Sequence, residues 1–346
     1  MALRFIDSFN HYTTSEFTKK WTNDSGGYNS ITTGGRFTNR FYCSGGNGYL
    51  GKTLDSKSTW IMGFAWMPAS LPTSGGERWP VCAFRNGANN EVTLDYEQSG
   101  RIIARRGEIG GTYVAQSANT FSGGTWYYLE VKVKVHGSTG TIQLRVNGVQ
   151  DTGIDFTGNT SADGATTADN VWLGGNQYGS TGARSFCDFY LCDTDGSGPT
   201  NNWLGDIRVE SLFPSGNGTW SGLVGSDSNQ TDNYLLVDET APATADYVGS
   251  STPGDMDTYT YGSLSGATGT VYGVQILPYA AKTNAGTAST VSVARLSGGT
   301  EEDGAAQALS TTPIYMREVR ETKPGGGSWS ITDVNGAEFG VKVGGS

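Results

Sequence analysis

The chain has 346 residues, a formal net charge of −10 at pH 7, 52 glycines, 9 tryptophans, 17 tyrosines and 13 phenylalanines. The acidic balance and the lack of a basic cluster argue against nucleic-acid binding and against docking on anionic membranes. No apolar run approaches the roughly 20 residues that cross a bilayer. Abundant glycine without a collagen period, combined with many aromatic residues, is typical of short strands separated by turns.

The first 213 residues show a dense series of strand-like segments. The first begins at Leu3, and its early charges, Arg4 and Asp7, do not fit a signal peptide. Residues 15–21 predict a short helical turn. The predicted strands cover 3–9, 36–42, 47–54, 59–67, 80–85, 91–97, 101–106, 112–116, 125–135, 141–147, 171–174 and 185–192. Turns at such short spacing are typical of a β-sandwich.

The clearest strand pair lies within residues 125–150. Apolar and polar side chains alternate along both strands, as in Leu129, Glu130, Val131 and Lys132. Successive side chains of a strand point to opposite faces, so one face is predicted to cover a core and the other to lie in water. Asn147-Gly148 predicts a tight hairpin turn after the second strand.

The remainder of the chain predicts a second, smaller domain. Residues 214–233 are polar and glycine-rich, so they are interpreted as a connecting loop between residues 1–213 and residues 234–346. Strands are predicted in the second domain near 257–261, 270–280, 288–296, 314–322 and 337–343. The chain shows no repeat of fixed period and no heptad pattern. The predicted fold class is all-β, with two successive sandwiches.

Two motifs give the first domain a family resemblance. Trp126 with its following alternation and "GTIQLRVNGV" resembles a strand pair of concanavalin A-like and laminin G-like jelly rolls, and "DNVWLGG" at 169–175 resembles the strand that follows that pair. The resemblance covers roughly residues 1–210. It implies an N-terminal concanavalin A-like jelly-roll sandwich, followed by the smaller C-terminal β-sandwich.

A second resemblance concerns three longer segments. The opening "MALRFIDSFNHYTTSEFTKKW", the segment "FCDFYLCDTDGSGPTNNWLGDIRVESLFPSGNGTW" and the ending "MREVRETKPGGGSWSITDVNGAEFGVKV" resemble virion proteins of tailed bacteriophages. The resemblance implies a structural component of the particle, made in the host cytoplasm and assembled with other virion proteins, with homo-oligomers expected. Cys43, Cys82, Cys187 and Cys192 are then expected to be buried free thiols.

Carboxylates alternate in "TLDYEQ", where Asp95 and Glu97 give the best match to the paired acids of a glycoside hydrolase. No third acidic residue follows in register, so the favoured interpretation is a polar strand face and no residue is assigned a catalytic role. A nucleophilic triad is disfavoured because His11 and His136 are the only histidines and no G-x-S-x-G elbow is present.

A calcium site is considered at "CDTDGSGPTNNWLGD", where Asp193 and Asp195 lie on a glycine-containing loop. Carboxylate oxygens suit Ca²⁺, but a full EF-hand type loop would need more acidic residues. The alternative is a turn in which these carboxylates accept hydrogen bonds from backbone amides. No other cofactor is predicted.

Glycan binding is the more developed functional hypothesis. Sugars present apolar C–H faces edged by hydroxyls, which suit aromatic rings accompanied by amide side chains. The predicted residues are Trp203, Asn202, Asn176, Tyr178 and Trp79. Trp172 is left open as a core residue, because it lies inside a strand pattern.

The sequence therefore predicts a non-enzymatic virion structural protein, at the tail or as a peripheral adhesin, that binds host-surface glycans. Two alternatives stay open. The first is a decoration or head-fibre protein on the capsid surface, and the second is a glycan-degrading enzyme of the same fold.

Overall fold

In a computed structural model, residues 2–45, 47–175, 182–196, 198–265 and 268–345 are described. The chain divides into two compact units, residues 1–209 and 210–346. Both are built from antiparallel sheets, so the predicted all-β fold class is confirmed. Among the described residues, no helix has the length and apolar character needed to span a membrane.

Unit 1 contains fifteen strands among its described residues. They are β1 Leu3–Asp7, β2 Asn23–Asp24, β3 Asn29–Thr33, β4 Asn39–Cys43, β5 Tyr49–Lys57, β6 Thr59–Pro68, β7 Arg78–Asn86, β8 Asn89–Glu97, β9 Ile102–Arg106, β10 Thr112–Gln116, β11 Tyr127–Lys134, β12 Gly140–Val146, β13 Val149–Gly158, β14 Ala168–Gly174 and β15 Arg184–Asp193. A short helix, α1 Phe17–Lys20, follows a 3₁₀ turn at Thr14–Glu16, inside the predicted helical segment. Strands β2, β3 and β13 were not predicted.

Two sheets form the sandwich of unit 1. Sheet A has the order β13-β12-β11-β6-β15-β4-β3, with β1 added beside β15, and sheet B has the order β10-β9-β8-β7-β14-β5-β2. Aromatic side chains join the sheets across the core, where the Trp66 ring lies 5.2 Å from that of Tyr96. Trp60 Nε1 also donates to the carbonyl oxygen of Ala168 at 2.8 Å. This two-layer packing is the jelly-roll sandwich that the sequence predicts.

The β11–β12 pair follows the predicted alternation with one exception. Leu129, Val131 and Val133 are fully buried, and Asn147 and Gly148 have φ values of 51° and 80°, the left-handed conformation of a type I′ turn. Glu130 was expected to face water, but its side chain is fully buried. Residues 203–205 cover this part of the outer face of sheet A, as the contacts below describe.

Unit 2 is smaller and also β-rich. Its strands are β16 Pro214–Ser221, β17 Val224–Gly225, β18 Val248–Gly249, β19 Met256–Tyr261, β20 Val274–Ile276, β21 Tyr279–Ala280, β22 Ser289–Arg295, β23 Glu301–Asp303, β24 Gln307–Ala308, β25 Ile314–Tyr315, β26 Glu318–Arg320 and β27 Glu338–Val343. The other elements are a 3₁₀ turn at Asn233–Leu236 and a helix, α2 Ile331–Gly336, which was not predicted.

The main sheet of unit 2, sheet C, has the order β16-β19-β27-β22-β23, with β24 also paired to β22. One face packs on a core of Ile276, Trp329 and Val334, to which the sheet contributes Ala294 and Phe339. The segment 214–233 was expected to be a connecting loop, but its residues Pro214–Ser221 form an edge strand of sheet C. Gly216 and Gly218 let this strand approach β19 closely.

Candidate functional site

Four residues from distant parts of unit 1 meet on the outer face of sheet A. Lys132 and Arg145 project from the neighbouring strands β11 and β12, and the segment after β15 brings Asn202 and Trp203 over them. The Arg145 guanidinium carbon lies 4.8 Å from the Trp203 ring centroid, and Lys132 Nζ lies 5.8 Å from it. Asn202 Oδ1 accepts from Lys132 Nζ at 3.4 Å. We call Lys132, Arg145, Asn202 and Trp203 the Trp203 patch.

The covering segment is fixed by a buried carboxylate. Glu130 Oε1 accepts from the Tyr190 hydroxyl at 2.6 Å and from the backbone N–H of Gly205 at 2.8 Å. Burial, together with the charge of Glu130, raises the pKa of Tyr190 well above its usual value, so the phenol remains a donor. Trp203 is therefore held two residues from an anchored backbone amide.

The Trp203 patch carries net positive charge within an acidic chain. Glu130 lies opposite Arg145 in the strand register, but its carboxylate binds Tyr190 and Gly205. Within the described part of the chain, no carboxylate lies in ion-pair distance of Lys132 or Arg145, and Arg145 Nε is buried without a hydrogen-bond partner. Burial and the charge of Arg145 lower the pKa of Lys132. A bound anion would relieve this repulsion.

The other predicted glycan residues do not join this patch. Trp79 is 3% exposed, and its ring faces the core beside Tyr96, so its assignment to a binding surface is wrong. Asn176 and Tyr178 lie outside the described residues. Trp172 is also buried, since the Tyr49 ring stacks on it at 3.8 Å and the Arg85 guanidinium carbon lies 3.6 Å from its centroid. The two residues that the structure brings together are Asn202 and Trp203.

The predicted carboxylate pair lies on the outer face of sheet B, opposite the core-facing Tyr96. Both oxygens of Asp95 accept from Arg105 Nε, at 3.0 and 2.9 Å. Glu97 Oε1 accepts from Arg78 Nε at 3.0 Å and from Arg105 Nη2. Burial raises the pKa of Asp95 to about 6, although the charge of Arg105 opposes the increase. Arginines therefore bind both oxygens of Asp95 and one oxygen of Glu97.

Asp193 and Asp195 are likewise bound by cations of the chain. Arg4 Nη1 donates to Asp193 Oδ2 at 2.6 Å, and Lys57 Nζ donates to Asp195 Oδ2 at 2.5 Å. The backbone N–H of Asp195 donates to Asp193 Oδ1 at 2.8 Å, which is the turn considered as the alternative to calcium. In the residues that the structure describes, no group of three potential metal ligands is found.

Comparisons with known proteins show no family for this chain. No protein-family model matches the sequence, and no curated protein matches it. A solved structure of the cellulose-induced protein Cip1 is 15% identical, with a TM-score of 0.40 over 54% of this chain and 96% of that chain. Alginate lyase Aly36B is 14% identical, with a TM-score of 0.38 over 53% of this chain and 92% of that chain.

A sialidase of Trypanosoma rangeli is 14% identical and has a TM-score of 0.33, over 47% of this chain and 27% of that chain. At these identities and TM-scores, none of these three matches carries an argument about the fold or the activity of this chain. The functional proposal therefore depends on the side chains described above.

Proposed function

We propose that this protein is a non-enzymatic structural component of a bacteriophage virion, at the tail or as a peripheral adhesin, and that its Trp203 patch binds an acidic glycan of the host surface. The observation that carries the glycan part is the position of Trp203 against Lys132 and Arg145. An indole supplies a surface for the C–H face of a sugar, and two cations without a carboxylate partner among the described residues suit a sugar carboxylate.

Exposed apolar side chains support the assembly part of the proposal. Strands β13 and β10 carry Val149 and Tyr113, which are 70% and 57% exposed. Exposed apolar side chains are surfaces on which other subunits can pack. We expect other virion proteins and further copies of this chain as partners.

The cysteines support synthesis in a reducing host cytoplasm. Cys43, Cys82, Cys187 and Cys192 are buried free thiols. Burial raises the pKa of Cys43 to about 12, and it also raises the pKa of Cys82 and Cys187. Such thiols are slow to react and need no oxidising compartment during folding.

Glycan binding is tested with the full chain on an array of acidic and neutral oligosaccharides. Replacing Trp203 with Ala should weaken binding to acidic oligosaccharides by about tenfold or more. Lys132→Gln should also weaken it, and added salt should reduce the wild-type affinity. Lys134→Gln is the matched control, because Lys134 lies two residues along the same strand without contacting Trp203.

Retained affinity in Trp203→Ala, or equal losses in Lys132→Gln and Lys134→Gln, would overturn the glycan part. The virion part is tested by imaging intact particles with an antibody against this chain. Labelling of the tail or its periphery is expected. Labelling of the capsid surface alone would favour a decoration or head-fibre protein.

A further inference from the structure

Unit 2 has a groove on the face of sheet C that is turned away from its core. Met256 pairs with Lys342, and Lys342 pairs with Val291, so their side chains form one row across β19, β27 and β22. Lys342 is three residues from the core residue Phe339, and Val291 is three residues from Ala294. Because side chains alternate along a strand, the row lies on the opposite face.

One wall of the groove is Trp220, which a bulge places out of the strand ladder. Between the pairs Asn217–Tyr259 and Ser221–Asp257, three residues of β16 face a single residue of β19. The bulge is anchored, because Thr219 donates to Glu338 through both its backbone N–H, at 2.7 Å, and its hydroxyl, at 2.8 Å. Extra residues of this kind redirect a side chain.

The indole of Trp220 is held in place while much of its surface stays exposed. Its Nε1 donates to Glu301 Oε2 at 2.8 Å, and Glu301 belongs to β23 at the opposite edge of sheet C. The side chain is nevertheless 46% exposed. Because the polar atom of the ring already has its partner, the exposed part of the ring is available for apolar stacking.

The rest of the groove offers backbone groups and a lysine that already has an acidic partner. The cavity has a volume of about 780 Å³, and its lining includes Gly222, Gly254, Gly344 and Gly345 in addition to Trp220 and the row. Glycines leave backbone amides and carbonyls accessible to a ligand. Lys342 Nζ donates to Asp303, so the ammonium in the groove is already neutralised. An anionic ligand would therefore find no unpaired cation among the residues of this lining.

We infer that this surface, the Trp220 groove, binds a neutral saccharide. The C–H face of a sugar ring would stack on the indole, and its hydroxyls would bond to the glycine backbone and to Asp255, whose Oδ2 already accepts from Ser250. The volume is of the size that small-ligand sites have. A proline-rich peptide is less suited, because such peptides dock in grooves with several aromatic side chains, and this lining has one.

The proposal is tested by titrating the full chain with maltohexaose, cellohexaose and the hexamer of N-acetylglucosamine. The readouts are the indole N–H resonances and calorimetric affinity. Trp220→Ala assigns the Trp220 resonance. At least one of these sugars should shift that resonance, and Trp220→Ala should weaken its binding by about tenfold or more. Trp203→Ala should leave this binding unchanged.

A second variant fills the groove and leaves Trp220 intact. A β-carbon on Gly345 would meet nothing within 4 Å, so Gly345→Phe should place a ring in the groove and abolish binding. Gly262→Phe is the matched control, since Gly262 is equally open and does not line the groove. The inference is overturned if the Trp220 resonance is unshifted with all three sugars, or if Gly345→Phe keeps full affinity for them. It is also overturned if only a proline-rich peptide shifts that resonance. If Trp203→Ala loses neutral-sugar binding and Trp220→Ala does not, the sugar binds at the Trp203 patch, and the Trp220 groove is refuted while the acidic-glycan proposal stands.

Discussion

The ring of Tyr190 lies directly across Gly63, where a β-carbon would come within 1.9 Å of Tyr190 Cε1. The missing side chain at Gly63 lets the phenol reach Glu130, and Glu130 in turn holds the backbone of Gly205. A glycine inside β6 thus positions the segment that carries Trp203.

Replacing Gly63 with Ala should therefore affect both stability and binding. Because the Tyr190 ring would have to move, we expect the free energy of unfolding to fall by about 1 to 3 kcal/mol. The acidic-glycan affinity should fall as well. Urea unfolding and glycan binding measure the two effects. Gly76→Ala is the control, since its β-carbon meets nothing within 4 Å; equal stability of the two variants would contradict the prediction.

Local pattern was sufficient for strands β11 and β12 but not for the buried carboxylate between them and the covering segment. The alternation around Val131 and the Asn147-Gly148 turn depend on neighbours in sequence, and the structure has both. The environment of Glu130 depends on Tyr190 and Gly205, which are 60 and 75 residues away. Side-chain period alone could not show that a covering segment would return to this face.

Glycine and tryptophan were the residues that sequence patterns described least well. Glycine-rich composition suggested a loop at 214–233, but within it Gly218 lies where a β-carbon would be 2.5 Å from Thr258 Oγ1 on the partner strand. Trp79 lies near a predicted loop and was therefore assigned to a binding surface, but its ring packs against the backbone of Gly182. Composition does not distinguish a glycine that bends the chain from one that allows close packing.

In the type I′ turn at Gly148, the effect of backbone strain on stability can be measured separately from the effect of packing. Gly148 has a φ of 80°, and a β-carbon there would meet nothing within 4 Å, so Gly148→Ala introduces conformational strain without a steric clash. We expect the free energy of unfolding to fall by about 1 kcal/mol. Gly137→Ala, in the preceding hairpin loop and without a positive φ, should change it much less. Thermal or urea unfolding of both variants measures the difference. Equal losses of unfolding free energy in the two variants would contradict the type I′ conformation of Gly148.

Burial of Asp95 predicts a pH dependence of known sign. Its pKa is raised from the ordinary value of 3.8 to about 6 in the folded chain, so between these values the folded state binds more protons than the unfolded state. Stability from this group is therefore complete below the lower value and is lost as the pH rises through about 6. Between pH 7 and pH 4, the wild type should gain about 2 to 3 kcal/mol relative to Asp95→Asn.

Urea unfolding of the wild type and Asp95→Asn across that range measures the difference, and other titrating groups cancel in the comparison. Parallel pH profiles would show that Arg105 compensates fully for burial. A wild type that loses stability relative to Asp95→Asn on acidification would mean that the arginines lower the pKa of this carboxyl.

The same carboxylates separate a binding protein from a glycan-degrading enzyme. A hydrolase needs one carboxyl that gives a proton and another that attacks or activates water, with their oxygens free to reach the sugar. Arg105 already binds both oxygens of Asp95, and Arg78 and Arg105 bind Oε1 of Glu97. We therefore expect the double variant Asp95→Asn, Glu97→Gln to leave polysaccharide breakdown by intact particles unchanged.

Reducing-end release by particles carrying either form is the measurement, with circular dichroism to establish that the variant retains its β-structure. Breakdown that disappears in a folded double variant would make the acid pair catalytic and would favour the enzyme alternative over the structural one.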